Sequence, residues 1–269
     1  IVQACTAALW MFSEAAAGPP GAQACLHRAR QAGRPCTERE RHFTEAVTAW
    51  VGGDVLAALA GFEAIVAHHP RDLASLKLGQ YLAFNLGDSP RMLKLALKSL
   101  PAAGDVAALH GMLAFAWEQC HRLHEAEGAA RCALAMRPDD PWAQHAAAHA
   151  LAAKGLPFEA RALLRAHAPG WQRCSSFMLT HNWWHLALFS LELGDRGGAL
   201  QHFDDHVWGV RKGHCQDQMN AVALLARLEL AGVKVGRRWD DVAAHVVPNA
   251  EDGIDDFLDL HYLYALARG

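Results

Sequence analysis

A pair of helices joined by a turn recurs about every 34 residues in this chain, and this period limits the possible folds more than any other feature. Pro70 and Pro138 end two such pairs and lie 68 residues apart, which is two periods. Ala58 lies 12 residues before Pro70, and Ala126 lies 12 residues before Pro138. Small residues at matching positions predict that the two helices of each pair approach each other closely.

The segments between these positions are predicted to be helices. Ala and Leu dominate them, β-branched residues are sparse, and no stretch alternates apolar and polar residues with period two. Thr37 and Glu40 predict a capping box at the start of one helix, and Ser89 is the predicted N-cap of another, which ends before Pro101. The GPPG sequence at 18–21 is expected to form a loop that stops the first helix.

Helix–turn–helix units of this length, with small residues at fixed positions and a proline at the end, are typical of tetratricopeptide repeats. The predicted fold is therefore all-α, with tetratricopeptide-like helical hairpins stacked into a right-handed superhelical solenoid. We expect one helical-repeat domain over residues 1–269, in which the first helices, within 1–36, are less regular.

Histidines recur with nearly the same period. His181 and His185 are four residues apart, as are His145 and His149, and 36 residues separate the two pairs. Residues i and i+4 lie on the same face of a helix, so the members of each pair should point the same way. His110 lies 35 residues before His145. Because the first helix of each repeat lines the concave face of such a solenoid, these five imidazoles are predicted to line one patch of a groove.

The paired imidazoles have two competing interpretations. Imidazole nitrogen is a ligand for zinc, copper, nickel and iron, so the set His145, His149, His181 and His185 could bind a transition metal such as zinc. Alternatively, these are packing residues that hydrogen-bond to carbonyl groups and to one another. The pattern differs from the HExxH motif of metalloproteases, because neither pair has a Glu after its first His, and the general base of that motif is missing.

Aromatic and acidic residues are predicted to complete the site. Trp184 could form the wall of a ligand pocket, and Trp171, on the longest irregular segment, is expected to form a lid or rim. Asp217 continues the 36-residue spacing into the next first helix, and with Asp259 and His261 it could orient a ligand imidazole. The predicted ligand-binding residues are His110, His145, His149, Trp171, His181, Asn182, Trp184 and His185, with Asp217, Asp259 and His261 in support.

Charge, hydropathy and cysteine content exclude several classes of protein. The 25 basic and 28 acidic residues give a net charge of −3 without a long basic run, so no nucleic-acid partner is expected. No apolar run reaches the roughly 18 residues of a membrane-spanning helix, so no membrane partner is expected. The seven cysteines are scattered and odd in number, which argues against a disulfide framework and favours a cytoplasmic location. The missing initiator Met indicates a processed or truncated chain.

Four stretches of the sequence carry a resemblance to a known family. HNWWHLALFSLELGD (181–195) and PWAQHAAAHALAAKG (141–155) contain the two His pairs, and VKVGRRWDDVAAHV (233–246) and FLDLHYLYALA (257–267) follow them. Over about residues 105–269 the chain resembles the tetratricopeptide repeat protein 38 family. This resemblance implies a helical-repeat fold and a cytosolic setting, and it implies no particular reaction. Members of that family are usually longer at the C-terminus, which also suggests a truncated chain.

Three functions are compatible with these features. The leading prediction is a tetratricopeptide-repeat binding scaffold whose concave groove, lined by His and Trp, holds a small ligand or a peptide. The alternative is a metal-dependent or His-based hydrolase or lyase that uses the same two HxxxH pairs, with a metal that activates water. In the third, the histidines only pack between helices, and the chain is a structural adaptor.

Overall fold

The computed structural model describes residues 1–33 and 35–269, which form fifteen α-helices and contain no β-strand. The helices are α1 (Val2–Met11), α2 (Gly18–Gln31), α3 (Glu38–Val51), α4 (Val55–His68), α5 (Leu73–Asn85), α6 (Ser89–Ala103), α7 (Ala107–Gln119), α8 (Leu123–Met136), α9 (Pro141–Ala153), α10 (Pro157–His167), α11 (Ser176–Glu192), α12 (Arg196–His202), α13 (Cys215–Leu230), α14 (Arg238–Val246) and α15 (Asp256–Arg268). Short 3₁₀ turns follow α10 (Ala168–Arg173) and α14 (Val247–Asn249), and a π-helical turn (Phe203–Val207) continues α12. The all-α prediction is confirmed.

The helices form two compact units. Unit 1 contains Ile1–Ser13 and Ala17–Ala150, and unit 2 contains Glu14–Ala16 and Leu151–Gly269. The boundary falls within α9, so the two His pairs of the sequence belong to different units. One continuous domain over 1–269 stays a prediction from the sequence.

Consecutive helices pack against each other as helical hairpins within each unit. In unit 1, α3 packs on α4, α5 on α6 and α7 on α8, and in unit 2, α11 packs on α12. The first helices of successive hairpins are also in contact, as α5 is with α7 and α11 with α13. Each unit therefore has a layer of first helices and a layer of second helices, as the 34-residue period predicts. Among the described helices, none combines the length and the apolar character that a membrane crossing requires.

Small residues lie where these helices cross. Ala58 in α4, Ala126 in α8 and Ala199 in α12 are each 0 % exposed, which confirms the close helix approach predicted from Ala58 and Ala126. Gly61, one turn after Ala58, comes closer still to the preceding helix: a Cβ atom on Gly61 would lie 2.8 Å from the Cβ of Ala46. A side chain at this position would push α4 away from α3.

Side-chain caps begin several helices. The Thr37 hydroxyl accepts from the Glu40 N–H at 3.3 Å, and the Glu40 carboxylate accepts from the Thr37 N–H at 2.8 Å, which confirms the predicted capping box. The Thr37 N–H and the Thr37 hydroxyl both donate to the Glu40 carboxylate, which lowers the pKa of Glu40. In α6 the cap is Asp88 rather than the predicted Ser89, because the Asp88 carboxylate accepts from the Arg91 N–H at 3.0 Å. A carboxylate also interacts favourably with the positive end of the helix dipole.

Two proline-containing segments that were expected outside helices lie within them. Residues 18–20, of sequence GPP, form the first turn of α2 rather than a loop. Backbone N–H groups of the first turn have no intrahelical partner, so proline is tolerated there. Pro101 lies near the end of α6. Because only two residues follow it in the helix, its missing N–H removes a single hydrogen bond from the last turn.

Candidate functional site

The His181 and His185 pair lies in the middle of α11, in unit 2. Ser175 caps this helix by accepting from the Met178 N–H, and α11 then runs for 17 residues without Gly or Pro. The Nε2 atoms of the two imidazoles are 3.2 Å apart. The shared direction that the i,i+4 spacing predicts is therefore confirmed. His185 is buried and His181 is half-buried, so the pair is largely shielded from bulk solvent.

A chain of buried hydrogen bonds orients His181. It begins at Asp217 on α13, whose carboxylate can only accept, so the Thr180 hydroxyl donates to Asp217. The Thr180 oxygen in turn accepts from Nδ2 of the Asn220 amide, at 3.3 Å. Oδ1 of Asn220 is then the atom that faces His181, 2.9 Å from Nδ1. An amide oxygen accepts, so Nδ1 of His181 carries the proton.

The direction of these hydrogen bonds determines which nitrogen of His181 carries the lone pair. In the neutral imidazole with its proton on Nδ1, the lone pair is on Nε2, and Nε2 is the atom next to His185. A neutral imidazole with its lone pair on one nitrogen and its N–H held by an acceptor is the form that binds metals. Asp217, Thr180 and Asn220 are all buried, so water does not compete for their bonds. Asp217 thus lies two hydrogen-bonded side chains away from the imidazole, rather than in direct contact with it.

Aromatic rings surround the imidazoles of α11. Trp184 is nearly parallel to His181, with ring centroids 5.3 Å apart and an interplanar angle of 7°, and it meets His185 edge-on at 4.9 Å. Phe177 also stacks on His181, at 4.9 Å. Trp184 therefore borders both imidazoles, and these contacts restrict how far either ring can turn. Asn182, between the two histidines in sequence, is fully buried.

The second pair, His145 and His149, lies on α9 in unit 1. The two ring centroids are 4.4 Å apart, and Trp142, one turn earlier, stacks on His145 at 5.0 Å. Glu118, near the end of α7, places a carboxylate oxygen 3.6 Å from Nδ1 of His149. Burial acts to raise the pKa of Glu118, but the polar contact and the charge of His149 outweigh it and lower this pKa overall.

One imidazole of each pair faces an oxygen acceptor through its Nδ1 atom. For His149 the acceptor is Glu118, on the preceding first helix, and for His181 it is Asn220, on the following one. Metal-binding histidines usually donate their second N–H to a carboxylate, a carbonyl or water in this way. Each pair therefore combines nitrogen donors of the type that zinc takes with a neighbour that can fix the tautomer.

Other predicted site residues have partners of their own. Nε2 of His110 bonds to the Gly104 carbonyl at 2.8 Å, and Nδ1 of His261 bonds to the Phe257 carbonyl at 2.7 Å, within α15. Both bonds fit the packing interpretation, in which an imidazole is satisfied by a carbonyl group. Asp259 is half-buried on α15 and forms no ion pair with any described residue.

Trp171 does not form a lid. It lies in the 3₁₀ turn that follows α10, is 1 % exposed, and packs edge-on against Trp183 with ring centroids 5.4 Å apart. A lid or rim residue must be accessible from solvent, so this burial contradicts the role predicted from the sequence. The physical reason is the large apolar area of the indole, which is stabilising to bury even where the backbone is irregular.

Sequence patterns did not single out Glu118, Thr180 or Asn220. Asn220 lies one turn after Asp217 on α13, so the i,i+3 spacing is a usable signal for it. Glu118 lies eight residues, or about two turns, after His110 on α7. No pattern distinguishes Thr180 from other helical threonines.

Comparisons with known proteins place the fold. No family model matches this chain. Among solved structures, a tetratricopeptide repeat protein from Parabacteroides merdae is similar with a TM-score of 0.64 and 13% identity, covering 93% of each chain. TTC0263, a thermophilic TPR protein of Thermus thermophilus, is similar with a TM-score of 0.54 and 17% identity, covering 72% of this chain and 98% of its own. NprR, solved in complex with its cognate peptide NprX, has a TM-score of 0.52 and 12% identity, covering 97% of this chain and 82% of its own.

These similarities concern the fold alone, because all three identities are low. They confirm the predicted tetratricopeptide-like helical hairpins. Membership of the tetratricopeptide repeat protein 38 family stays a prediction from the sequence. The chain thus has an all-α fold of the tetratricopeptide-repeat type.

Proposed function

We propose that this protein is a tetratricopeptide-type binding scaffold that holds a ligand at an imidazole site, and that the imidazoles bind a transition metal ion such as zinc. One observation carries the proposal. The Nε2 atoms of His181 and His185 are 3.2 Å apart, while Asn220 accepts from Nδ1 of His181. Two nitrogen atoms thus face a common point, and one of them has its lone pair directed there.

The nitrogen–nitrogen distance suits a tetrahedral zinc ion. With Zn–N bonds of about 2.0–2.1 Å and tetrahedral angles, two ligand nitrogens are roughly 3.3 Å apart. The observed 3.2 Å also suits a direct hydrogen bond, in which Nε2 of His185 carries the proton and Nε2 of His181 accepts it. Zinc takes the place of that proton, so His185 must bind the ion as its other tautomer, with the proton on Nδ1.

A structural zinc ion takes four ligands, and the α11 pair provides two of them. The 36-residue spacing of the sequence is the reason for adding His145 and His149 to the same ligand set. A zinc ion with four imidazole ligands has no open position for an activated water molecule, which is typical of a binding site rather than of a metal-dependent hydrolase or lyase.

The fold suits a peptide or a small molecule as the ligand. Repeat proteins of this type present extended surfaces built from successive first helices, and such surfaces bind extended segments. NprR, which is similar in fold, was solved with its cognate peptide. We propose that the ligand of this chain contacts the first helices, with Trp184 beside the imidazoles of α11 as part of the contact surface.

Zinc titration of metal-free protein tests the metal. We expect one zinc ion per chain, and a loss of affinity of at least about 100-fold in His181→Ala and in His185→Ala, because each change removes a ligand. His261→Ala is the matched control in the same unit, since its imidazole bonds to its own helix. Wild-type protein that binds no zinc, or variants of His181 and His185 that bind it normally, would exclude the metal site.

The same titration of His145→Ala and His149→Ala tests the ligand set. A shared site predicts that a change in either pair weakens the binding of a single ion. Two ions per chain, each lost with only one pair, would mean that each pair acts separately.

A further inference from the structure

Lys77 lies in the first-helix layer of unit 1, with its ammonium nitrogen 3.8 Å from the centroid of the Trp142 ring. Lys77 belongs to α5 and Trp142 to α9, so the indole extends across the intervening α7. Gly111 of α7 leaves room for it: a Cβ atom on Gly111 would lie 3.6 Å from Cδ1 of Trp142, and a longer side chain would take the space of the ring. Phe115, one turn later on α7, meets Trp142 at 5.5 Å.

Among the described residues, the Lys77 ammonium has no anionic partner. It forms no ion pair with them and donates no hydrogen bond to them, and it lies over the Trp142 ring. Burial lowers the pKa of Lys77 to about 8, so the amine is still mostly protonated at neutral pH. A desolvated ammonium without a carboxylate is unfavourable, and a cation–π contact offsets only part of this.

The ring stack that contains Trp142 has a carboxylate at its other end, next to a histidine. The stack continues from Trp142 to His145 and His149, at centroid distances of 5.0 and 4.4 Å. Glu118 lies at its far end, 3.6 Å from His149. The Lys77 end of the stack therefore has a positive charge and N–H donors that no described side chain satisfies.

We propose that Lys77 and Trp142 form a subsite for a carboxylate group of the ligand. The ammonium pairs with the carboxylate, and the indole packs against the apolar or aromatic group beside it. One cation balances the single charge of a carboxylate, whereas phosphate sites usually combine several donors from Arg or a helix N-terminus. A carboxylate subsite gives the chemical class of the ligand and therefore rests on the binding scaffold proposed above, but it does not require the metal.

Phenylacetate is a suitable probe, because it carries a carboxylate next to an aromatic ring. Phenylacetamide has nearly the same shape without the charge and is the matched control ligand. Both are titrated into the full chain in the presence of EDTA, and dissociation constants are measured by ligand-observed NMR. We expect phenylacetate to bind at least about tenfold more tightly than phenylacetamide, as a charge-assisted hydrogen bond is stronger than a neutral one.

Three variants separate the charge from the packing. Lys77→Met keeps an apolar stem over Trp142 and should abolish the preference for phenylacetate. Lys77→Arg keeps the charge and should retain most of the preference, and Lys94→Met, which changes an exposed lysine of α6, should leave it unchanged. Circular dichroism confirms that each variant is folded. Equal binding of the two probes to wild type, or a preference that survives in Lys77→Met, would overturn the proposal.

A second pair of probes identifies the source of the carboxylate. N-acetylphenylalanine presents the carboxylate of a peptide C-terminus, and its amide lacks it. A Lys77-dependent preference for N-acetylphenylalanine over the amide supports a peptide ligand, and a preference confined to phenylacetate supports a small acid. The two proposals can fail separately. The probe titrations contain EDTA, so their result does not depend on zinc binding. The zinc stoichiometry is measured without the probes, so it does not depend on how the acid and amide probes bind.

Discussion

Replacing Asp217 by Ala tests the hydrogen-bond chain that orients His181. In the wild-type protein the Asp217 carboxylate fixes the direction of the Thr180 hydroxyl, and through it the Asn220 amide. The amide then holds the proton of His181 on Nδ1. Without the carboxylate, the hydroxyl can donate to the Phe177 carbonyl, 3.2 Å away, or to the oxygen of the Asn220 amide if that amide turns. We therefore expect His181 to populate its other tautomer in Asp217→Ala, although the substitution does not contact the imidazole.

The magnitude follows from the burial of the chain. Asp217 is 1 % exposed and Thr180 is 0 % exposed, so water cannot replace the lost bond. A hydrogen bond to a charged group contributes about 1.5–3 kcal/mol, and the Phe177 carbonyl, 3.2 Å from the Thr180 hydroxyl, can accept in place of the carboxylate and recover part of it. Removing the buried charge relieves part of this cost. We expect the free energy of unfolding to fall by about 1–3 kcal/mol, and zinc affinity to fall about tenfold, as for other outer-shell partners of metal ligands.

Three measurements check these effects. Urea denaturation gives the free energy of unfolding, ¹⁵N NMR of the imidazole gives the tautomer of His181, and zinc titration gives the affinity. Asp259→Ala is the matched control, because this half-buried carboxylate of α15 has no ion pair among the described residues. The free energy of unfolding of this variant should stay within about 0.5 kcal/mol of the wild-type value. An Asp217→Ala protein with an unchanged His181 tautomer would refute the orientation argument, even if its stability had fallen.

Further changes test the packing and the titration of the two units. Trp171→Ala should lower the free energy of unfolding by about 3–5 kcal/mol, because a fully buried indole leaves a cavity, whereas loss of a solvent-exposed lid would cost little in urea denaturation. Gly61→Ala should cost about 1–3 kcal/mol through the clash with α3, while Gly128→Ala, a helical glycine with open space around it, should stabilise by about 0.5–1 kcal/mol. Burial lowers the pKa of both His202 and His206 from 6.5, so their neutral forms are favoured in the folded state. Their contribution to stability is therefore complete above pH 6.5 and is lost as the pH falls below it, and the pH dependence of the free energy of unfolding should be flatter in the double variant with Asn at both positions.

Local periodicity was enough to predict the helical hairpins and the His pairs. The helix period is set by backbone hydrogen bonds, so an i,i+4 spacing places His181 and His185 on one face whatever surrounds them. The 34-residue period works for the same reason at a larger scale. Each repeat builds the same hairpin, and the small residues Ala58 and Ala126 therefore meet equivalent helix crossings and are buried in both.

Partners on different helices were harder to predict. The spacing of Asp217 correctly placed it on the next first helix, but its side chain meets Thr180, and Asn220 one turn later is the residue that meets His181. Helical register determines the face on which a residue lies, and it does not determine which neighbour the side chain reaches. Lys77 and Glu118 were missed for a related reason, because charged residues in a helix are usually on the solvated face.

Two loop predictions were wrong because local signals do not specify tertiary contacts. Pro19 and Pro20 were expected to stop a helix, but the same residues are compatible with the first turn of the next one. The choice depends on where the previous helix ends, and α1 ends at Met11. Trp171 was expected on the surface because its segment is irregular, yet its ring packs against Trp183 in the interior of unit 2.

The His181 and His185 pair is held in place by a neighbouring helix. His181 is bonded to Asn220 at 2.9 Å, within a series of buried bonds whose direction is fixed by the Asp217 carboxylate. A metal ion that needs a defined tautomer meets little reorganisation at α11, because preorganised side chains do not have to turn when it binds. Asp217→Ala should therefore weaken the binding of the metal even though it removes none of its ligands.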